Sequence, residues 1–423
     1  MKIAMFTNAY PPHVGGVARS VYLTVENLIR QGHSALVATP SYEGDSDDGE
    51  CEAEIVRVHS LKNISGSDFS LPFPFSVELA EALSRFAPDI IHSHYPFLLG
   101  DMALRYGAMK RIPVVFTHHT RYEAYENLLP FDMDGFDSFV TELSTGYANL
   151  CDRVIVPTAG MVAILRDCGV DTPVSVIPTG IDVHRFSRGD GAGLRRRYGI
   201  AKDAFVAGYV GRLAPEKNLD FWSEAVCLFL EKKPSAHALV VGGGEFASAI
   251  KEAFRRRGLS DRLSMTGVLE GESLVDAYHA MDVFAFTSLL ETQGLVLAEA
   301  LASGCPVVAL EAQCVRDVVP DGSGGYLVRS REPRLFCSAL EEFAEMTPMR
   351  YKSVCNEARK NARRFDVSIC IRDLLEAYSS CLGGSRRPGV LEVTGWLALG
   401  RMGKRELNLW KSRISALINA VKG

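Results

Sequence analysis

No two of the ten cysteines stand as C-x-x-C. That absence removes a zinc ribbon and a disulfide framework, and leaves reduced thiols in the cytoplasm as the simple reading. No G-x-G-x-x-G follows the first strand-like run, which disfavours a nicotinamide or flavin cofactor. Excess positive charge is also missing. The net charge is −5, so nucleic acid is not an expected partner. A secretory leader is not expected, because in "MKIAMFTNAYPP" the apolar run ends by Phe6 and two prolines follow. Residues 292–310 approach the length of a membrane span, but Glu299, Gly304 and Pro306 interrupt them. They read as a buried helix, a turn and a buried strand.

What remains is ordinary for a soluble globular chain. It has 423 residues, 47% of them hydrophobic and 23% charged, enough for about two or three domains. Short apolar runs alternate with helical segments. Residues 2–7, 34–40, 54–58, 89–94, 113–119 and 153–158 are continuous apolar strands, as strands buried on both faces should be. A helix is expected over 17–31, stopped by Gly32. The pattern restarts at 205–211, 237–244, 282–288 and 306–310. Alternation of this kind predicts two Rossmann-like, doubly wound α/β domains facing across a cleft, with ligands beyond the carboxyl ends of the strands. The turn-rich segment "PTGIDVHRFSRGDGAGLRRR" reads as a linker, with the domain boundary near residue 180.

After residue 383 the character changes. Leu407, Trp410, Ile414, Leu417, Ile418 and Val421 recur at helical spacing, and six basic residues outnumber two acids from 391 onward. This basic amphipathic tail either packs on its own domain or docks on an anionic membrane surface.

Several strand ends carry chemistry. Gly15 and Gly16 lie between the first strand and the first helix, where backbone N–H groups can approach a phosphate; a simple turn is the alternative. In "GYVGRLAPEKNLD", Arg212 and Lys217 follow a strand and can grip a diphosphate. The alternative there is a solvated loop paired to Glu216 or Asp220. "HALVVGGGE" (237–245) offers glycines that read best as a tight turn. Glu291 sits just past a buried strand, near the N-terminus of a helix expected from Gln293 or Gly294 to Gly304. Glu299 lies within that helix. A buried carboxylate needs donors, and sugar hydroxyls can supply them; an internal ion pair for Glu299 and a favourable first-turn acid for Glu291 are the alternatives. Past other strand ends stand "HSHYPF" (92–97) and "FTHHTRYEAY" (116–125), with His118, His119, Tyr122, Glu123, Tyr125 and Glu126. Their spacing matches no metal-ligand pattern.

Taken together, "PPHVGGVARS", "FTHHTRYEAY", "GRLAPEKNLD" and above all "ETQGLVLAEALASGCPVVA", which fits an E-x7-E signature, resemble glycosyltransferase family 4 over about residues 1–380. "HTRYEAY" with "ETQGLVLAEALASG" most resembles the diacylglycerol α-glucosyltransferases. The resemblance implies the GT-B fold, with an N-terminal acceptor domain over 1–180, a C-terminal donor domain over 181–365 and a crossover helix over 366–383. It implies that Glu299 holds the ribose hydroxyls and that Arg212 and Lys217 neutralise the diphosphate, which the turn at Gly15 and Gly16 also approaches. Glu291 and the N–H groups around Gln293, Gly294 and Leu295 would contact the hexose. His119 would stand beside the reacting sugar, with His118 competing for that role, and Tyr122 and Tyr125 would face the acceptor. The implied activity is retaining transfer of a hexose, glucose by family habit, from a uridine diphosphate sugar to a membrane lipid or a soluble saccharide. No cofactor and no metal are required. The implied location is the cytoplasm, on the inner membrane face if the tail docks there. A non-catalytic nucleotide-sugar sensor is the competing class, against which the intact set Arg212, Lys217, Glu291 and Glu299 argues.

Overall fold

The computed structural model describes residues 1–13, 15–42, 52–61, 71–72, 76–122 and 136–385. The chain divides into two compact units. One is Met1–Gly180 together with the chain from Val367 onward, and the other is Ile181–Asp366.

The first unit is built on a seven-stranded parallel sheet. Its spatial order is Glu54–Val58, Ser34–Pro40, Lys2–Phe6, Ile90–Ser93, Val114–Thr117, Arg153–Val156 and Val174–Val176. The central strands are buried at every position because both faces are covered. The helix Gly16–Arg30 turns Ala18, Val21, Val25 and Leu28 inward, the i, i+3, i+4 stripe of a sheet-packed helix. The chain returns to this unit as the helix Val367–Ser385. Ile371, Leu374, Ala377, Tyr378 and Cys381 join Ile3, Met5, Val25 and Leu28 in one core.

The second unit has a six-stranded parallel sheet, ordered Leu263–Gly267, His237–Val241, Val206–Val210, Val283–Phe286, Val307–Leu310 and Gly325–Val328. Strand alternation feeds two cores. Val206 and Val210 face one, Ala207 and Tyr209 the other.

Five described strands lie outside the sequence expectation: Val174–Val176, Leu263–Gly267 and Gly325–Val328, which are edges of the two large sheets, and the short antiparallel pair Ser60–Leu61 and Leu71–Pro72. The expected linker is also corrected. It contains the helices Val183–Phe186 and Gly191–Arg197, and Ile181, Phe186 and Leu194 are buried in the second unit's core. Most of its charged residues are exposed, which gives it a linker's composition; Arg195 instead turns inward to Asp282 at 2.7 Å. Among the described residues, no two cysteines are joined by a disulfide. Among the described residues, no helix is long and apolar enough to cross a membrane.

Candidate active site

In each sheet the chain order reverses beside the first strand of the unit, and that switch point opens a crevice at the carboxyl ends. In the second unit it falls between Val206–Val210 and Val283–Phe286, which pair directly. Arg212 and Lys217 follow the first of these strands, and Glu291 follows the second. Lys217 Nζ donates to Glu291 Oε1 at 2.7 Å, with both side chains largely buried. Arg212 donates to Glu216 Oε1 at 2.6 Å while 65% of its side chain stays exposed. Of the two partners expected of a solvated loop, the structure supplies Glu216 to Arg212; Lys217 takes Glu291, not Asp220.

The loops are fastened to each other. Thr287 Oγ1 donates to the carbonyls of Lys217 and Asn218, and Asn218 Nδ2 donates to the Thr287 carbonyl at 3.2 Å. Tyr209 donates its hydroxyl to the Arg212 carbonyl at 3.1 Å. Burial, reinforced by the carboxylates of Glu291 and Glu216, raises the Tyr209 pKa and keeps that proton in place. The Gly242–Gly244 segment has a packing role. A Cβ at Gly242 would stand 1.9 Å from the Gly211 carbonyl oxygen, and one at Gly244 2.3 Å from that of Leu213. Glycine is required here for the second loop to press against the first.

The helix behind Glu291 spans Leu295–Ser303, a residue or two later than the sequence suggests. It is bounded by Gly294 and Gly304, both left-handed at φ 73 and 80. Gln293 is buried ahead of its first turn, and Leu295 opens it. The first turn of a helix favours an anion or an electron-rich hydroxyl; here the Leu297 N–H is taken by the Gly294 carbonyl at 2.9 Å. Glu299 is 2% exposed. Its Oε2 accepts from the Tyr278 hydroxyl at 2.7 Å. This donor was invisible in the sequence, because Tyr278 lies on a separate helix, Gly271–Ala280.

In the first unit, the switch point falls between Lys2–Phe6 and Ile90–Ser93. Gly15 and Gly16 follow the former. Gly15 is extended, and a Cβ at Gly16 would meet nothing within 4 Å. Neither backbone strain nor protein packing demands glycine at this pair. His94 follows the second strand, and His118 and His119 follow its neighbour Val114–Thr117. His118 and His119 diverge, as successive residues of an extended chain do. His118 is buried, with Nε2 3.1 Å from Ser144 Oγ. His119 lines a small cavity of about 40 Å³ with His92, His94, Thr117, Ser20 and Thr179 among its walls. His119 Nε2 lies 2.9 Å from His94 Nδ1. His92 is held at both nitrogens, 2.6 Å from Tyr378 Oη and 2.6 Å from Thr117 Oγ1. Burial, aided by repulsion from His118, pushes His119 down to about 3, and burial alone brings His118 to about 4. Burial and repulsion from His119 bring His92 to about 3. These rings are neutral at physiological pH. Tyr122 packs edge-on against His118 and Phe97. Tyr125, Glu123, Glu126 and the basic tail fall outside the described residues. Among those described, no group of three or more His, Cys, Asp or Glu is arranged to hold a metal ion.

The chain matches two family models: Glycosyltransferase Family 4 over residues 14–185 and Glycosyl transferases group 1 over residues 192–365. It is 30% identical over 333 residues to the alpha-monoglucosyldiacylglycerol synthase of Streptococcus pneumoniae, covering 77% of this chain and 75% of that one. A GDP-mannose-dependent alpha-mannosyltransferase of Corynebacterium glutamicum is 27% identical over 396 residues, or 92% and 91% of the two chains. Among solved structures, a sucrose-phosphate synthase from Thermosynechococcus elongatus superposes with a TM-score of 0.75 at 20% identity, covering 91% of this chain and all of that one.

Proposed function

The chain belongs to glycosyltransferase family 4, and from that premise we propose that it moves glucose from a uridine diphosphate donor to diacylglycerol with retention of configuration. The observation that carries the choice of acceptor is the 30% identity, spread over 77% of the chain, with an alpha-monoglucosyldiacylglycerol synthase.

In this reading the second unit grips the donor. Arg212 and Lys217 neutralise the diphosphate, Glu299 accepts from the ribose hydroxyls, and Glu291 with the helix N-terminus at Gln293, Gly294 and Leu295 holds the hexose. The turn at Gly15 and Gly16 approaches the diphosphate, His119 meets the transferred sugar, and Tyr122 and Tyr125 face the acceptor. The acceptor hydroxyl attacks from the face that the diphosphate leaves, and the departing oxygen takes its proton. Negative charge grows on that oxygen, so fixed cations there lower the barrier by stabilising the transition state more than the bound donor. Arg212 suits this because its exposed guanidinium can exchange Glu216 for phosphate oxygens. The basic tail would hold the enzyme at an anionic membrane surface, each Lys or Arg adding about 1 kcal/mol.

The test is to incubate the protein with a panel of nucleotide sugars and a lipid extract, and to read product masses and anomeric configuration. An α-glucosyl lipid formed from the uridine donor is the expected product. A mannosyl product supports a second reading, mannosyl transfer, favoured by the mannosyltransferase match over 92% of the chain; a glycosylated soluble acceptor overturns the choice of lipid. Deleting residues 390–423 separates the membrane role: vesicle binding is lost while donor hydrolysis continues.

A further inference from the structure

We propose that His94 is a positioning residue that fixes the tautomer of His119, so that His119 carries its proton on Nε2 and its lone pair on Nδ1. The importance of that tautomer for turnover rests on the reading that His119 meets the transferred sugar; the tautomer itself does not.

Met5 decides the first step. Its thioether has lone pairs and no proton, and Sδ stands 3.4 Å from His94 Nε2. A lone pair on that nitrogen would oppose the sulfur; a proton on it is attracted. His94 is therefore protonated on Nε2, and its Nδ1 is an acceptor. That acceptor lies 2.9 Å from His119 Nε2, a normal hydrogen-bond length, so His119 must be the donor. A neutral imidazole has one N–H, and the bond made by one nitrogen settles the state of the other. Both rings are neutral, since burial takes His94 well below its ordinary 6.5 and His119 to about 3.

The His94 ring is also fixed in orientation. Turning it over would place carbon atoms against both Met5 Sδ and His119 Nε2. It lies between His92, with ring centroids 4.1 Å apart, and His119, at 5.2 Å. His92 is itself anchored by Tyr378 and Thr117. The C-terminal helix thus steadies the far end of the stack. The result is a defined polarity: whatever meets His119 Nδ1 must donate a proton to it, as a sugar hydroxyl can.

The experiment uses the full chain with ¹⁵N-labelled histidine. Among its ten histidines, the signals of His94 and His119 are assigned by their loss in His94→Asn and His119→Gln. In the wild type, both rings should be protonated on Nε2. His94→Phe keeps a ring against His92 and removes the acceptor. It should redistribute the His119 proton and lower kcat with UDP-glucose and diacylglycerol vesicles roughly tenfold, with donor KM moving less than about twofold. In His94→Asn, Oδ1 takes the place of Nδ1, and both the His119 tautomer and most of kcat should return. A wild-type His119 protonated on Nδ1, or a mixed signal, overturns the proposal. So does a folded His94→Phe protein with wild-type kcat when His119→Ala has lost activity. Should His94→Phe not fold, the wild-type and His94→Asn spectra decide. Unchanged kcat in His119→Ala would instead overturn the sugar contact and leave the tautomer standing.

Discussion

Arg212 and Lys217 are each neutralised by a carboxylate of their own unit. For Arg212 the pairing is weakly held, since most of its side chain meets water, and exposed pairs contribute ~1 kcal/mol or less. Arg212→Ala should therefore leave thermal stability nearly unchanged, yet lower kcat by two to three orders of magnitude, because one lost contact to developing charge costs roughly 3–4 kcal/mol. Near-normal turnover in a well-folded variant would refute its role. If side chains supply this charge, as proposed, activity should persist in excess chelator; loss that magnesium or manganese restores would contradict it. The buried histidines set a pH limit. His92 and His118 are held neutral at about 3 and 4, and His94 well below 6.5. As pH falls through 6.5 the unfolded chain takes up protons that the folded unit refuses. Stability from these groups is thus full above about 6.5 and declines toward about 4, by ~1.4 kcal/mol per pH unit for each such histidine. The urea midpoint should be lower at pH 5 than at pH 7, and equal midpoints would count against this account. At this scale the sequence shows residue types at strand ends but not partners. Tyr278 meets Glu299 and His94 meets His119 only because separate elements converge.

Among elements, buried strands were legible and edges were not. "HALVV" is buried at every position, and apolar after His237, because both its faces are covered. "LSMTG", at the sheet edge, is only half-buried and carries the mixed composition of a loop. The glycines at 242–244 were visible, but their reason was not, since it lies in another loop. Gly242→Ala tests it. The new Cβ would collide with a backbone oxygen, which no rotamer change relieves, so the Gly211–Leu213 loop must move. Activity should fall at least tenfold, because small misplacements of charged groups are costly. His94 and His119 belong to the other unit, and their ¹⁵N signals should stay put. A Gly242→Ala enzyme with wild-type kcat would show that this loop tolerates displacement.

For the whole molecule, each unit carries its own core, and the first unit's core is completed by residues more than 360 positions from Met1. A chain ending at Asp366 loses Ile371, Leu374, Ala377 and Tyr378 from that core. Each large apolar side chain lost from a core costs roughly 2–5 kcal/mol, in sum about as much as the whole stability of a typical domain. In calorimetry the truncated chain should retain one cooperative transition, that of Ile181–Asp366, and lose the other. Two surviving transitions would contradict this. The sequence shows two halves readily, because strand and helix patterns restart. That the helix Val367–Ser385 joins the first half was implied only by the family resemblance, with its crossover helix over 366–383; the residue pattern alone does not show it, because an amphipathic helix does not name its partner.

That return has a consequence for biosynthesis. The second unit is, in effect, an insertion into the first. A ribosome emits residues 1–180 well before the helix that closes their core, while the inserted unit already holds everything it needs to fold. The earliest residues made must wait for some of the last. A chain cut short by a premature stop would lack Tyr378 and so the anchor of His92, leaving a nascent first unit exposed to chaperones and proteases instead of a partly working enzyme.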